Sequence, residues 1–284
     1  MQPSKDQIND ATFTVIGVNG FIGKAIFTKL KDLGFAVFGY DRADCDTFDV
    51  VSQPIGHVIY AAGVTADFRS RPHDTMEAHV SSATSLLRNT RFESFLYLSS
   101  TRLYRNASST TERAKFLMDP NCPESIYDLS KLAGESLAIA DRRSSVRVAR
   151  LSNVYGNADA SDVFIASVLR DACRKGEVVL NSRPESAKDF ISLADVTSLL
   201  PAIAMHGTRK VYNVARGKNT RFDHILEELR RITGCRYSFS EKALTDKPSI
   251  DREIDVAQLE AEFPLLKRDL LQDIGYLVNE EMKI

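Results

Sequence analysis

Two side chains of the sequence have the types and the spacing for acid–base chemistry, Tyr127 and Lys131. They lie four residues apart in the helical pattern SIYDLSKLAGESLAIA, which puts both on one face of a helix. An ammonium near a phenol favours the phenolate, so Lys131 would bring the pKa of Tyr127 down from about 10 toward a range useful for proton transfer. We predict that Tyr127 transfers the proton. Such pairs also occur by chance on surface helices.

Three hydroxyl side chains, Ser99, Ser100 and Thr101, follow a predicted strand at Phe95–Leu98. Parallel sheets bind ligands at the carboxyl ends of their strands, so these hydroxyls are candidates for a site. We predict that Ser100 bonds the reacting oxygen of a substrate while Tyr127 moves the proton. Ser99 is assigned to cofactor binding and Thr101 to substrate binding. For any single one of the three, a cap or turn role is an equal alternative.

A glycine-rich segment, TFTVIGVNGFIGKAIFTKL, joins a predicted strand to an amphipathic helix. Gly17 would permit the tight turn, Gly20 the approach of a pyrophosphate to the backbone, and Gly23 the packing of helix on strand. The alternative is that these glycines only mark a turn. The predicted cofactor-binding residues of this loop are Gly17, Asn19, Gly20, Phe21, Ile22 and Gly23.

The nature of the cofactor depends on Asp41, which ends the second predicted strand 24 residues after Gly17. A carboxylate there accepts hydrogen bonds from an adenosine ribose and repels a 2′-phosphate, which favours NAD. Arg42 follows immediately, and it would either pair with a 2′-phosphate or lie solvated on the surface. Asp41 and Arg42 are both candidate cofactor residues, and NADP stays open.

The elements that must position these residues alternate between apolar runs and helical patterns, which predicts βαβ units with buried parallel strands. The predicted strands are Thr12–Ile16, Ala36–Tyr40, His57–Ala61, Phe95–Leu98 and Val146–Leu151, and the predicted helices are Phe21–Leu33, Thr75–Asn89 and Glu124–Asp141. Only fifteen residues separate Asp41 from His57. We therefore predict a short strand near 46–50 and no full crossover helix after it.

The pattern changes after about residue 154, where we predict helices at 161–175, 193–205 and 221–233 and strands at 178–180 and 211–214. The fold class predicted is α/β, a Rossmann-type doubly wound parallel sheet with a smaller C-terminal substrate-binding lobe. Residues 11–154 would form the dinucleotide-binding domain, to which some later segments return, and 155–284 mostly the substrate lobe. The cleft between them is the predicted substrate site.

Composition excludes several classes of protein. The 284 residues include 37 Lys and Arg against 38 Asp and Glu, so no bulk charge favours nucleic acid or an anionic membrane. The 4 cysteines form no Cys-x-x-Cys pair, which argues against a zinc site and a disulfide framework. The polar N-terminal residues and the lack of long apolar runs predict a soluble, cytoplasmic protein without a metal.

The ordered motifs resemble those of the extended short-chain dehydrogenase/reductases, in particular the group of nucleotide-sugar epimerases, dehydratases and reductases. Beyond the glycine loop, they are VIYAAG (58–63), LSSTRLY (98–104), YDLSK (127–131), RLSNVYG (150–156), KDFISLADV (188–196) and VYNVARG (211–217). The resemblance implies that Ala61, Ala62 and Gly63 line the cofactor. It also implies that Asn153 contacts a nucleotide sugar and that the region of Lys188 shapes the nucleotide pocket.

Alternatives remain for the substrate residues. Asn153 is equally a turn cap, and Lys188 a solvated loop charge. Arg252 or Lys247 would supply a cation to the substrate diphosphate, or lie solvated on the surface.

The chain departs from the pattern of this group at several positions. Its dehydratases have an Asp-Glu pair after the active hydroxyl, where this chain has Thr101 and Arg102, so elimination of water lacks its acid and base. The group usually has Asn in place of His79, which is more simply a structural histidine than a proton relay. Arg105 stands where the group has Gly, and Lys188 where it has Arg.

The function predicted from the resemblance is that of an NAD(P)-dependent nucleotide-sugar epimerase or 4-keto-sugar reductase. Hydride would pass between the nicotinamide and a sugar carbon, and Tyr127 would act as acid and base. Lys131 would also bond the nicotinamide ribose. A homodimer is implied by the same resemblance. The alternative is a dinucleotide-sensing binding protein of the same fold that has lost turnover.

Overall fold

A computed structural model describes residues 11–41, 44, 55–65, 67–156, 163–245, 249–264 and 267–283 of the chain. Its strands are β1 (Thr12–Ile16), β2 (Ala36–Tyr40), β3 (His57–Tyr60), β4 (Ser94–Ser100), β5 (Val146–Leu151), β6 (Asn153–Tyr155), β7 (Glu177–Leu180), β8 (Ala187–Ser192), β9 (Val211–Val214), β10 (Asn219–Arg221) and β11 (Arg236–Phe239). Its helices are α1 (Phe21–Asp32), α2 (Pro72–Met76), α3 (Ser82–Asn89), α4 (Ser125–Ala140), α5 (Phe164–Arg170), α6 (Leu193–His206), α7 (Phe222–Thr233), α8 (Glu241–Thr245), α9 (Ala257–Glu262) and α10 (Leu270–Glu281).

The principal sheet has six parallel strands in the order β2-β1-β3-β4-β5-β9. Successive side chains of its strands point to opposite faces, and both faces are largely buried except at the edge strand β2. Leu96 and Leu98 of β4 pack with α1 and α6 on one face, whereas Phe95 and Tyr97 pack with α3 and α4 on the other. The predicted Rossmann-type doubly wound sheet is confirmed.

The chain after β5 forms two smaller sheets and contributes one further strand, β9, to the principal sheet. Strands β10, β8 and β6 make a three-stranded sheet, and β11 pairs with β7. Their apolar residues form a second core with α5, α7 and α10. Helix α6 packs on the principal sheet, and β9 extends it. The proposed boundary between domains at 154/155 stays a prediction.

Several predicted elements differ in detail from the structure. The short strand predicted near 46–50 lies outside the described residues. The helix predicted at 75–89 begins at Pro72 and is interrupted by a π-helical turn, Glu77–Ser81, which accommodates one extra residue and places His79 in the interior. A second π-helical turn, Asp171–Lys175, ends the helix predicted at 161–175.

A buried ion pair fixes α4 to β5. Arg150 of β5 and Glu135 of α4 are 3% and 1% exposed, and the guanidinium contacts both carboxylate oxygens. Ser99 of β4 donates a hydrogen bond to the same carboxylate at 2.8 Å, and Tyr104 accepts one from Arg150. These bonds hold α4 against β4 and β5. The first turns of α4 therefore lie at the carboxyl ends of both strands.

Candidate active site

Tyr127 and Ser100 come together at the carboxyl end of the sheet. Ser100 is the last residue of β4, and Tyr127 lies in the first turn of α4 and is 9% exposed. Burial raises the pKa of Tyr127, while a hydrogen bond with Ser100 and the charge of Arg102 oppose that rise. The structure therefore brings the serine and the tyrosine together, and the guanidinium of Arg102 lies beside them.

Lys131 is buried, four residues after Tyr127 on the same helix. Its Nζ donates to the carbonyl oxygen of Leu98 at 2.9 Å and lies 5.4 Å from the ring centroid of Tyr97. Burial lowers the pKa of Lys131 to about 7. Near neutral pH the side chain is therefore divided between its charged and its neutral form.

His79 connects α4 to the loop after β3. The backbone N–H of Val64 donates to its Nε2 at 3.3 Å, so Nδ1 bears the proton and donates to Ser130 Oγ at 2.7 Å. Ser130 in turn donates to the carbonyl oxygen of Tyr127 at 2.8 Å. Burial, together with the charge of Lys131, lowers the pKa of His79 to about 2, so the ring is neutral.

A cavity of about 400 Å³ lies along the glycine loop, in the size range of ligand sites. Gly17 has φ +83°, and a Cβ there would stand 2.7 Å from the backbone nitrogen of Ala62, so only glycine fits. The residues lining the cavity are Gly17, Gly20, Asp41, Ala61, Ala62, Gly63, Val64, Thr65, Asp67 and Arg71. Six of these were predicted cofactor residues.

The cavity and the tyrosine site adjoin at Gly63. A Cβ on Gly63 would lie 2.9 Å from His79 Nε2 and 3.5 Å from Lys131 Nζ. A side chain at Gly63 would therefore clash with the imidazole, so glycine allows this part of the cavity lining to pack directly against His79, with Lys131 close by. The glycine loop, the carboxylate of Asp41 in the cavity lining, and the helix that starts at Phe21 fit a dinucleotide.

The comparison with known families agrees with this geometry. The model of the NAD dependent epimerase/dehydratase family matches residues 13–215, most of the chain. The chain belongs to the NAD-dependent epimerase/dehydratase family. No curated protein sequence matches it.

Solved structures of similar fold cover almost the whole chain. The NAD-dependent NDP-hexosamine 5,6-dehydratase TunA is 19% identical, with a TM-score of 0.79, over 95% of this chain and 97% of its own. RMD from Pseudomonas aeruginosa, complexed with NADPH, is 21% identical with a TM-score of 0.79, over 96% and 100%. UDP-glucose 4-epimerase from Thermotoga maritima is 18% identical with a TM-score of 0.76, over 96% and 99%. At sequence identities this low, the similarity shows a shared fold and nothing about the reaction.

The other residues predicted to bind the cofactor lie in the glycine loop, in α1 and in the core. Asn19 Nδ2 donates to Asp41 Oδ2, which fixes the carboxylate at the cavity edge. Phe21 and Ile22 form the first turn of α1. The hydroxyl of Ser99 is turned into the core, where Glu135 accepts its hydrogen bond, on the opposite face of β4 from Ser100. Arg42 lies outside the described residues.

Of the residues predicted for the substrate, Asn153 and Lys188 lie on the three-stranded sheet, in β6 and β8, and Arg252 lies in the segment 251–256, called here the C-terminal loop. Asn153 donates to the carbonyl oxygen of Asp189 at 2.8 Å. Arg252 is exposed, and its neighbour Asp251 interacts electrostatically with Lys188 and Arg102. The structure thus brings this loop and Lys188 toward the tyrosine end of the site. Thr101 is half-buried next to Ser100, and Lys247 lies outside the described residues.

Sequence reasoning missed two features of the site. The glycine pattern gave no indication that Asp67 and Arg71, which form an ion pair at 3.1 Å, line the cavity. Arg102 was noted only for the absence of an acid at its position, although its guanidinium stands 5.3 Å from the centre of the Tyr127 ring.

Among the described residues no group of His, Cys, Asp and Glu is placed to hold a metal. In that part of the chain no helix is long and apolar enough to span a bilayer.

Proposed function

We propose that this protein is an NAD(P)-dependent nucleotide-sugar epimerase or 4-keto-sugar reductase, with hydride transfer at a sugar carbon. The observation that supports it most strongly is the position of Lys131, four residues after Tyr127 on α4, next to Gly63 of the glycine-lined cavity. Relatives of the same fold are complexed with a dinucleotide and a nucleotide sugar, such as MoeE5 with UDP-glucose and NAD. NAD is the favoured cofactor because Asp41 would repel a 2′-phosphate.

The bound nicotinamide would supply a hydride donor or acceptor, and the residues of the chain would manage the proton. Ser100 donates to the sugar oxygen and orients it. Tyr127 takes the proton of a hydroxyl as its carbon is oxidised, or returns it as a ketone is reduced. Lys131, whose Nζ donates to the carbonyl oxygen of Leu98, would bond the ribose and replace the proton that Tyr127 gives up.

Arg102 disfavours an elimination reaction at this site. A dehydratase needs a general base to remove a carbon-bound proton, and in the dehydratases that this chain resembles that base is a carboxylate. The two acids close to Tyr127 are both paired with Arg102: Asp128 at 2.7 Å and Glu124 at 2.8 Å. The available acid–base group is therefore the tyrosine, which suits oxidation and reduction of a sugar alcohol.

The test is an assay of the purified protein with a panel of nucleotide sugars, followed both by chromatography of the sugars and by absorbance of NADH. An epimerase interconverts two sugars without net change in NADH, whereas a reductase consumes NADH with a 4-keto sugar. A protein that binds dinucleotide yet leaves every sugar and keto sugar unchanged would be the binding protein that is the alternative. Cytoplasmic location and a homodimer stay predictions from the sequence.

A further inference from the structure

Arg102 is fixed at the tyrosine by both its backbone and its side chain. It lies in a 3₁₀ turn, Thr101–Asn106, and its backbone N–H donates to Ser100 Oγ at 3.2 Å. Its Nε donates to Asp128 at 2.7 Å and its Nη2 to Glu124 at 2.8 Å. The two carboxylates come from the start of α4, the same segment that holds Tyr127, so the guanidinium and the tyrosine are part of one rigid unit.

The guanidinium also lies against the ring of Tyr127. Its Cζ is 5.3 Å from the centroid of that ring and 5.2 Å from the centroid of Phe68, which itself lies 5.3 Å from Tyr127. His79 meets the Tyr127 ring edge-on at 5.4 Å. A cation within about 6 Å of an aromatic ring is attracted to it, and ionisation of the phenol strengthens that attraction. The ring is thus confined between Arg102, Phe68 and His79.

The two cations near Tyr127 differ in how firmly they keep their charge. Lys131 has no carboxylate partner among the described residues, and burial lowers its pKa to about 7. Burial also works against the charge of Arg102, but the hydrogen bonds and charges of Glu124 and Asp128 outweigh it and raise the pKa of Arg102. Arg102 therefore stays positive at every pH at which the protein is folded.

Other charges of the described residues surround this unit. The carboxylate of Asp128 acts on Tyr127 in the opposite sense to Arg102 and also interacts with Arg105. Glu124 is shared with Arg69. Asp251 interacts with Arg102 and Arg105 from the C-terminal loop. Of these groups, Arg102 is the one whose positive charge faces the phenol ring directly.

We propose that Arg102 is a positioning residue of the active site, which holds the Tyr127 ring in place and provides the permanent positive charge that favours its phenolate. This inference rests on the proposed function, in which Tyr127 is the acid and base. It assigns to Arg102, at the position where dehydratases of the family have an acid, a role in proton transfer through the tyrosine. Lys131 then remains available to bond the ribose and to replace the proton that Tyr127 gives up.

The test measures ionisation of Tyr127 itself, without turnover. The protein is labelled with 3,5-difluorotyrosine, whose phenol is more acidic than that of tyrosine, and its ¹⁹F spectrum is followed with pH. The Tyr127 signal is the one that disappears in Tyr127→Phe. We expect Arg102→Gln to raise the pKa of this phenol by about one pH unit or more, because an opposite charge close by is removed. Arg102→Lys should restore most of the wild-type value.

The double variant Arg102→Gln/Asp128→Asn separates a direct effect from an indirect one. If Arg102 acts on the phenol directly, the pKa of Tyr127 stays above the wild-type value when both charges are gone. If Arg102 only neutralises Asp128, the double variant returns to the wild-type pKa, and the proposal is wrong. An unchanged pKa in Arg102→Gln overturns it as well.

A failure to fold and a loss of activity can both be distinguished from these outcomes. Should Arg102→Gln fail to fold because Asp128 is left unpaired, the double variant and Arg102→Lys still provide the comparison. The proposed function has its own test, which is the loss of activity in Tyr127→Phe. A protein in which that loss is seen but Arg102→Gln leaves the pKa of Tyr127 unchanged would keep the proposed function and lose this inference.

Discussion

Replacing Tyr127 with phenylalanine is expected to lower kcat by about 10²- to 10⁴-fold, the usual contribution of a positioned acid–base group. The phenyl ring keeps the contacts with Phe68 and Arg102, so the fold and the binding of dinucleotide should be preserved. The KM for the nucleotide sugar should change little, because the hydroxyl acts on the reacting oxygen rather than on the nucleotide. Steady-state kinetics with the substrate found in the panel provide the measurement.

Tyr276→Phe is the matched control for this variant. Tyr276 lies on α10, is 56% exposed and is not among the residues that line the described cavity, so its hydroxyl should be dispensable. Equal kcat in wild type and Tyr127→Phe would mean that another group moves the proton, and the acid–base assignment would have to be given up.

The second large effect concerns stability rather than chemistry. Arg150→Met is expected to lower the free energy of unfolding by about 3–5 kcal/mol, because it leaves the carboxylate of Glu135 buried without its partner. Ser99 alone would then bond that carboxylate. Urea unfolding followed by circular dichroism measures the loss. Since Glu135 lies one turn after Lys131 on α4, a decrease in activity should accompany it.

The control is the double variant Arg150→Met/Glu135→Met. An apolar pair often replaces a buried ion pair with little loss, so the double variant should recover most of the stability that Arg150→Met loses. If the single and double variants are equally unstable, packing of the arginine stem against Phe116 and Tyr104 accounts for the loss, and the charge does not.

The principal sheet could be predicted well because most of its strands are buried on both faces and are therefore rich in apolar residues. The bounds predicted for Thr12–Ile16 and Val146–Leu151 agree with the structure. Strands β6 and β10 have only three residues each, too few for an alternating pattern to be recognised. Strand β8 lies in a segment that was recognised as a sequence motif but was not predicted to be a strand. The π-helical turn at Glu77–Ser81 has no residue pattern of its own.

The same limits apply to the site. The spacing of Tyr127 and Lys131 follows from one helix, and the turn at Gly17 from one loop, so local sequence indicates both. Arg102 meets its acids 22 and 26 residues later in the chain, and such pairing depends on how β4 and α4 approach each other. The sequence pointed to Lys131 as the cation that lowers the pKa of Tyr127, whereas in the folded chain burial raises that pKa and the opposing positive charge is that of Arg102.

The measurement that tests the central claim most directly is a titration of the purified protein with NADH and NADPH, followed by nicotinamide fluorescence. The chain has no tryptophan, so little protein emission interferes. We predict saturable binding, tighter for NADH than for NADPH, and its loss in Gly17→Ala, where the added Cβ would meet Ala62. Binding of neither dinucleotide, by a protein from which denaturation releases none, would contradict the assignment of this cavity and the function built on it.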